Sequence, residues 1–243
     1  MAYPVTFDVE APEEFDKAQV ALRVLIVIAL FVLQIGSIVF SAAYVVLPVI
    51  AAVLVSQKGA EQYLAESETG ATKWLRYLLA FYSYMALATD KLPTESPERV
   101  VKLQVQPNGE PTVGSALIRI ILAIPHAFML GLLSFVFAIV WIIAAVSIVI
   151  NGSYPQWAAS FIKGYLRWIA RLMAYMASLV DEYPPFSFEN GAGENGGDAA
   201  PPETPAFGLG AEAPPSEPAP GGRPPTEPPA GEGGGAPASE GTG

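Results

Sequence analysis

No cysteine occurs anywhere in the 243 residues, and histidine occurs once. The first absence removes disulfides, thiol nucleophiles and every Cys-ligated zinc or iron–sulfur site. The second leaves no histidine cluster for a metal and no Ser–His triad. Charged residues are scarce at 15%, against 52% hydrophobic ones. Of the 23 acids and 13 bases, nine acids and one base lie between Glu189 and Gly243. The net charge of −10 is therefore mostly a property of that segment, and the rest offers no cluster of Lys and Arg for nucleic acid. A glycine-rich phosphate loop, a nucleotide motif and an oriented carboxylate pair are also missing. No catalytic residue, metal or cofactor is expected, and the chain does not read as an enzyme. The opening "MAYPVTFDVEAPEEFDK" is acidic and has no apolar core, so it is not expected to act as a cleavable signal, and no lipidation motif follows Met1.

Long apolar runs are what the sequence has instead. Between Arg23 and Lys58 lie 34 residues without a formal charge, and a second such run extends from Ile120 to Ile162, interrupted only by His126. A spanning helix needs roughly 20 apolar residues, so both runs predict membrane integration. Each is too long for one ordinary span: 34 residues of helix cover about 50 Å against roughly 30 Å of hydrocarbon. Pro125 removes a helix hydrogen bond and divides the second run into an entry segment over Val113–Ile124 and a span over Pro125–Ile150. By analogy the first span covers about Ile28 to Val55, with Gly36 and Pro48 as bends. A helical hairpin inside each run is the competing arrangement, but neither run has a polar turn at its middle.

The chain also repeats itself. Trp74–Pro93 reads "WLRYLLAFYSYMALATDKLP", and Tyr165–Pro184 reads "YLRWIARLMAYMASLVDEYP". Leu75, Arg76, Tyr84, Met85, Ala86, Asp90 and Pro93 align with Leu166, Arg167, Tyr175, Met176, Ala177, Asp181 and Pro184. At a slightly larger offset, "VTFDV" (Val5–Val9) aligns with "VKLQV" (Val101–Val105) and Arg23 with Arg119. Both short segments alternate as half-buried strands do, and Asn108-Gly109 favours a tight hairpin turn. The sequence thus predicts an all-α integral membrane protein made of two tandem repeats, residues 1–94 and 95–188. Each runs strand, long transmembrane helix, second membrane or interfacial helix. Residues 189–243 form a disordered acidic tail, since 26 of those 55 are Gly or Pro.

Each strand is expected to find its partner in the other repeat, which requires an even number of spans between them and favours four spans in all. The second helices are the ambiguous ones. Trp157–Val180 carries Lys163, Arg167 and Arg171 on one helical stripe, matched in the first copy by Arg76 alone. A charge at the bilayer centre costs about 2.5–3.5 kcal/mol on insertion scales. The stripe therefore faces lipid phosphates from the interface, pairs inside a bundle or lines a wet pore. Lys163, Arg167, Arg171 and Arg76 are the candidate lipid- or partner-binding residues. Asp90 and Asp181 are expected where their helices end, a position at which an acid opposes the helix dipole, with Arg23 and Arg119 as counter-ions, within or across repeats. His126 beside Pro125 is expected to bond a freed carbonyl. Trp74, Tyr77, Tyr154, Trp157 and Trp168 fit an interfacial aromatic belt.

"LAIPH" (Leu122–His126), "NGSYP" (Asn151–Pro155), "GYLRW" (Gly164–Trp168) and "DEYPPF" (Asp181–Phe186) resemble an uncharacterised bacterial membrane family, domain of unknown function 4389. The resemblance covers Val101–Phe188 best and the first copy more loosely. Family members often carry a basic residue in the Gly-x-Tyr-Pro turn, where this chain has Ser153. The resemblance implies a bacterial multi-span protein and brings no activity. The expected function is that of a non-enzymatic scaffold or accessory subunit in the cell membrane. Its partners would be membrane lipids, anionic ones among them, a protein partner or a second copy, and not nucleic acid. A small transporter or channel using Arg and Asp at the repeat interface is the alternative.

Overall fold

Two five-residue strands stand where the alternation places them. In a computed structural model, which describes residues 3–32, 35–92 and 96–189, β1 (Val5–Val9) pairs antiparallel with β2 (Val101–Val105). The register sets Val5 opposite Val105, Phe7 opposite Leu103 and Val9 opposite Val101, and all six side chains are buried. A two-stranded ribbon is marginal alone and needs a covering layer. Helices α4 (Ala71–Met85) and α7 (Gln156–Met176) supply it, α4 lying against β2 and α7 against β1. A 3-10 turn at Pro97–Arg99 leads into β2, which puts that strand directly after α4 in the chain.

The apolar runs form four helices: α1 (Lys17–Val32), α2 (Ile35–Lys58), α5 (Val113–Leu122) and α6 (Ile124–Asn151). Short α3 (Ala60–Ala65) occupies what reads in sequence as a polar turn. Asp16 caps α1, accepting the backbone N–H groups of Ala18 and Gln19 at 2.9 and 3.2 Å. Thr112 and Ser115 form a reciprocal capping box at the start of α5. The break between α5 and α6 falls at Ala123, two residues before the proline whose missing N–H cannot continue the ladder. Pro48, expected as a bend, lies inside α2. Helix α6 ends on Gly152 in the left-handed conformation, with φ 80°.

The packing crosses between the halves: α1 lies against α6, and α2 against α5. The start of α1 is tied to the end of α6 by Phe15 N–H and Lys17 Nζ, which donate to the carbonyls of Gly152 (2.8 Å) and Ile150 (3.0 Å). Tyr44 of α2 donates to the Ile120 carbonyl of α5 at 2.5 Å. One side of α6 is left uncovered. Phe128, Leu132, Phe135, Ile139, Ile142 and Val146 recur at intervals of three and four residues, and all are exposed. Among the described residues, Val113–Asn151 is the one stretch long and apolar enough to cross a membrane, and only 28% of its most apolar window is buried. The core helix of a soluble protein would be mostly covered.

Two expectations need correction. Asn108-Gly109 makes no hairpin, because β2 is followed by a helix. Gly109 turns the chain at φ 83°, and Asn108 docks on the segment after α7, its N–H donating to Leu179 O at 3.0 Å. The second helices end at Met85 and Met176, five residues before Asp90 and Asp181, so neither aspartate sits at a helix end. The reason is a left-handed turn at Leu87 (φ 61°) and at Ser178 (φ 55°), each closed by a six-to-one bond: Ala88 N–H to Ser83 O and Leu179 N–H to Ala174 O. Neither turn contains glycine, the usual signal for it. The tail lies outside the described residues except for Glu189.

Candidate functional site: the arginine-capped helix ends

A helix finishes with up to four carbonyls that lack intrahelical partners, and burying one unmet costs about 1–3 kcal/mol. Here α4 and α7 end in the interior of the molecule, and arginines from the apolar helices meet their carbonyls. Arg23 of α1 is fully buried. Its Nη1 donates to Tyr84 O (3.1 Å) and Thr89 O (2.9 Å), its Nη2 pairs with the Asp90 carboxylate, and its guanidinium lies 3.8 Å from the centre of the Tyr84 ring. Arg119 of α5 does the same at the other helix. Its Nη1 donates to Tyr175 O and Val180 O, both at 2.6 Å, its Nη2 to Asp181 at 2.5 Å, and the Tyr175 ring centre is 4.4 Å away. Positive charge at a helix C-terminus suits the dipole, and the aspartate then neutralises the buried cation.

Donors from the opposite half complete these caps. Tyr154 O–H donates to Leu87 O (3.0 Å), and Trp141 Nε1 donates to Met85 O (2.9 Å). Tyr63 O–H donates to Ala177 O (2.5 Å). Trp168 is thus an interior group, Tyr154 is half-buried with its hydroxyl turned inward, and Trp74 and Trp157 are exposed.

The basic stripe also turns inward. Arg167 Nε donates to Phe7 O (3.1 Å) and its Nη2 to Asp8 (3.3 Å). Arg76 Nε and Nη2 donate to Leu103 O at 3.2 and 3.1 Å, and its Nη2 pairs with Glu68 at 2.9 Å. Phe7 and Leu103 stand opposite each other in the ribbon, so these carbonyls point outward from its two edges. The repeated arginines of α4 and α7 therefore cap strand edges. Arg171 is buried and gives Nη1 to Ser187 O at 2.9 Å, while Nε and Nη2 have no partner among the described residues. Lys163 is half-buried. Helical spacing identified these residues as one stripe; it carried no information on what the stripe faces.

His126 bonds no freed carbonyl. Its Nδ1 accepts from Trp168 Nε1 at 2.9 Å, its ring stacks on Phe186 at 4.1 Å and 10°, and its Nε2 is buried without a partner among the described residues. Phe186 belongs to the extended segment Asp181–Glu189, which runs back along α7. Tyr183 O–H anchors it to Leu122 O (3.0 Å), and Phe188 seats against Gly164, where a Cβ would stand 2.6 Å from that of Phe188. This strap was missed in sequence; Pro184-Pro185 signals only that it is extended. Among the described residues no group of three His, Asp or Glu could hold a metal.

Residues 114–187 match the family model of a domain of unknown function, DUF4389. The matched span opens inside α5 and closes in the strap, so it contains Arg119, His126, Arg167, Trp168, Arg171 and Asp181. No curated protein and no solved structure matches the chain.

Proposed function

We propose that this chain is a non-enzymatic, multi-pass protein of the cell membrane, built from two related modules, that serves as a scaffold or accessory subunit. Partner protein or anionic lipid would bind at its periphery. The observation that carries the reading is where the charge goes. Arg23, Arg76, Arg119, Arg167 and Arg171 each give at least one N–H to a main-chain carbonyl. Guanidiniums so committed hold the fold, which favours a structural role for them over the lining of a solute path. The uncovered apolar faces of α1, α2, α5 and α6 favour a lipid surround. The paired strands favour an even number of crossings between β1 and β2, hence four spans in all.

Mass spectrometry of the full-length chain and of a chain truncated before Glu189, both extracted gently from membranes, tests the reading. A stoichiometric protein partner or retained anionic lipid supports it. A partner-free oligomer that passes solutes in vesicles sinks it and brings forward the transporter alternative. Under that alternative, Arg119→Ala with Asp181→Ala abolishes flux.

A further inference from the structure

The strap makes the groove between α6 and α7 visible as a binding site that already holds a ligand. The floor consists of His126, Gly164, Trp168 and Arg171, all buried. The strap lays Phe186 on His126 and against Trp168, whose ring centre is 5.5 Å away, and sets Phe188 in the notch at Gly164. At the level of α4 the same positions hold Lys73, Tyr77 and Ala80, so notch and cation belong to α7 alone. Glycine within a helix is less favourable than alanine. Here it makes room for a ring.

The match between strap and floor is incomplete. Four arginines in this fold have a carboxylate within salt-bridge distance, at Asp90, Glu68, Asp181 and Asp8. Among the described residues Arg171 has none; it meets one neutral carbonyl, that of Ser187, and keeps two nitrogens, Nε and Nη2, buried and unpartnered there. A buried guanidinium is best met by two oxygens on one carbon. A peptide that ended at the position of Ser187 would supply them, since its terminal carboxylate would occupy the place of that carbonyl.

We infer that the α6–α7 groove is a recognition site for an extended peptide carboxyl terminus of the form Pro-aromatic-x-COO⁻, and that the strap is its tethered placeholder. The aromatic ring replaces Phe186 on His126 and Trp168, and the carboxylate pairs two-pronged with Arg171. The strap competes from the same chain at an effective concentration of order millimolar, which sets a threshold for the incoming terminus. The inference rests on the partner-binding part of the function proposed above. Mass spectrometry decides that reading, and peptide affinity decides this one.

The probe is the fluorescently labelled pentapeptide Tyr-Pro-Pro-Phe-Ser, the sequence of Tyr183–Ser187, made with a free carboxyl terminus and with an amide. The target is the full chain in detergent carrying Phe186→Ala and Phe188→Ala to loosen the strap. The acid is expected to bind about tenfold or more tightly than the amide, as a charged hydrogen-bonded pair demands. Arg171→Met should erase that preference, costing the acid its charged pair and the amide only the one neutral hydrogen bond it makes to Arg171. Equal affinities, an acid preference that survives Arg171→Met, or no binding to the folded variant would each overturn the assignment. Should the loosened chain not fold, the wild-type chain takes its place, with both affinities weaker and the same ratio expected. Displacement of the peptide by phosphatidylglycerol in mixed micelles, with the same dependence on Arg171, would assign the groove to a lipid phosphate. Cross-linking of one copy's strap to another copy's groove would assign it to a second chain. Either result would overturn the inference.

Discussion

The two helix-end caps use the same chemistry in different surroundings. At α4, Asp90 is 17% exposed and binds two partners, Arg23 and the backbone N–H of Asp16 at 2.8 Å. At α7, Asp181 is 48% exposed, and its own backbone N–H is held by the Asn108 side chain at 2.9 Å. The first cap is a closed joint that also fixes where α1 begins. The second is open to solvent on its acid side and relies on the turn at Gly109, where a Cβ would fall 1.9 Å from the Asp181 carboxylate. One arrangement of Arg, Tyr and Asp thus serves as a buried hinge pin in one half and as a surface clasp in the other. The environment sets its worth, because a buried ion pair loses more than an exposed one when a partner is removed.

That contrast can be broken in order of size. Arg23→Ala should cost the most, about 3–5 kcal/mol, since Asp90 and two carbonyls stay behind in the interior. The same change at Arg119 should cost clearly less; equal losses in paired thermal or chemical unfolding would show that exposure of the acid does not matter. Gly109→Ala should cost about 1–3 kcal/mol from backbone strain and the collision with Asp181. In an Asp181→Ala background, which has already lost the pair with Arg119, the same glycine change should cost the backbone-strain part only. Gly164→Ala is expected to change sign with its background. With Phe188 in place it dislodges the strap and lowers the melting temperature. In Phe188→Gly, which also removes the Cβ that the new methyl would meet, it gains helix propensity of about 0.5–1 kcal/mol and raises it.

The smallest effect concerns acid. Hydrogen bonds from Gln19, and then from Ala18, hold the Asp16 carboxyl below its ordinary value of 3.8. A carboxyl depressed by folding contributes stability above its unfolded value, and this is lost as pH falls through the folded one. Melting temperature followed from about pH 6 to pH 2 should therefore drop further in the wild type than in Asp16→Asn. Parallel curves would mean that the cap adds nothing pH-dependent.

Much of this frame was legible in sequence because it follows from periodicity. The alternation in "VTFDV" and "VKLQV" marks the strands, and their backbone groups demand the pairing that β1 and β2 make. Pro125 marks the division between α5 and α6 to within two residues. What could not be read depends on tertiary partners. Leu87 and Ser178 adopt left-handed turns without glycine because arginine, tyrosine and tryptophan side chains from elsewhere hold the helix ends. Arg23 and Arg119 stand out as charges in need of an acid, yet nothing local chooses between the two aspartates. The edge-capping roles of Arg76 and Arg167 are equally invisible, since helical spacing defines a face and not its neighbour.

The ribbon has a consequence for how the chain is made. Its first strand is synthesised well before its pairing partner, which lies 96 residues on from Phe7 to Leu103, and the side chain that plugs its edge, Arg167, is 160 residues beyond Phe7. At translation rates of about 5–20 residues per second, β1 waits roughly 5–20 s for a strand and 8–32 s for its arginine. Throughout that interval it is an open edge, and neither half can close without the other, since Arg76 reaches β2 and Arg167 reaches β1. Completion of the ribbon therefore reports that the last apolar helix and the arginine behind it have both been delivered correctly. A chain in which α6 or α7 fails to pack would keep β1 with an open edge, an exposed strand that a quality-control protease can read.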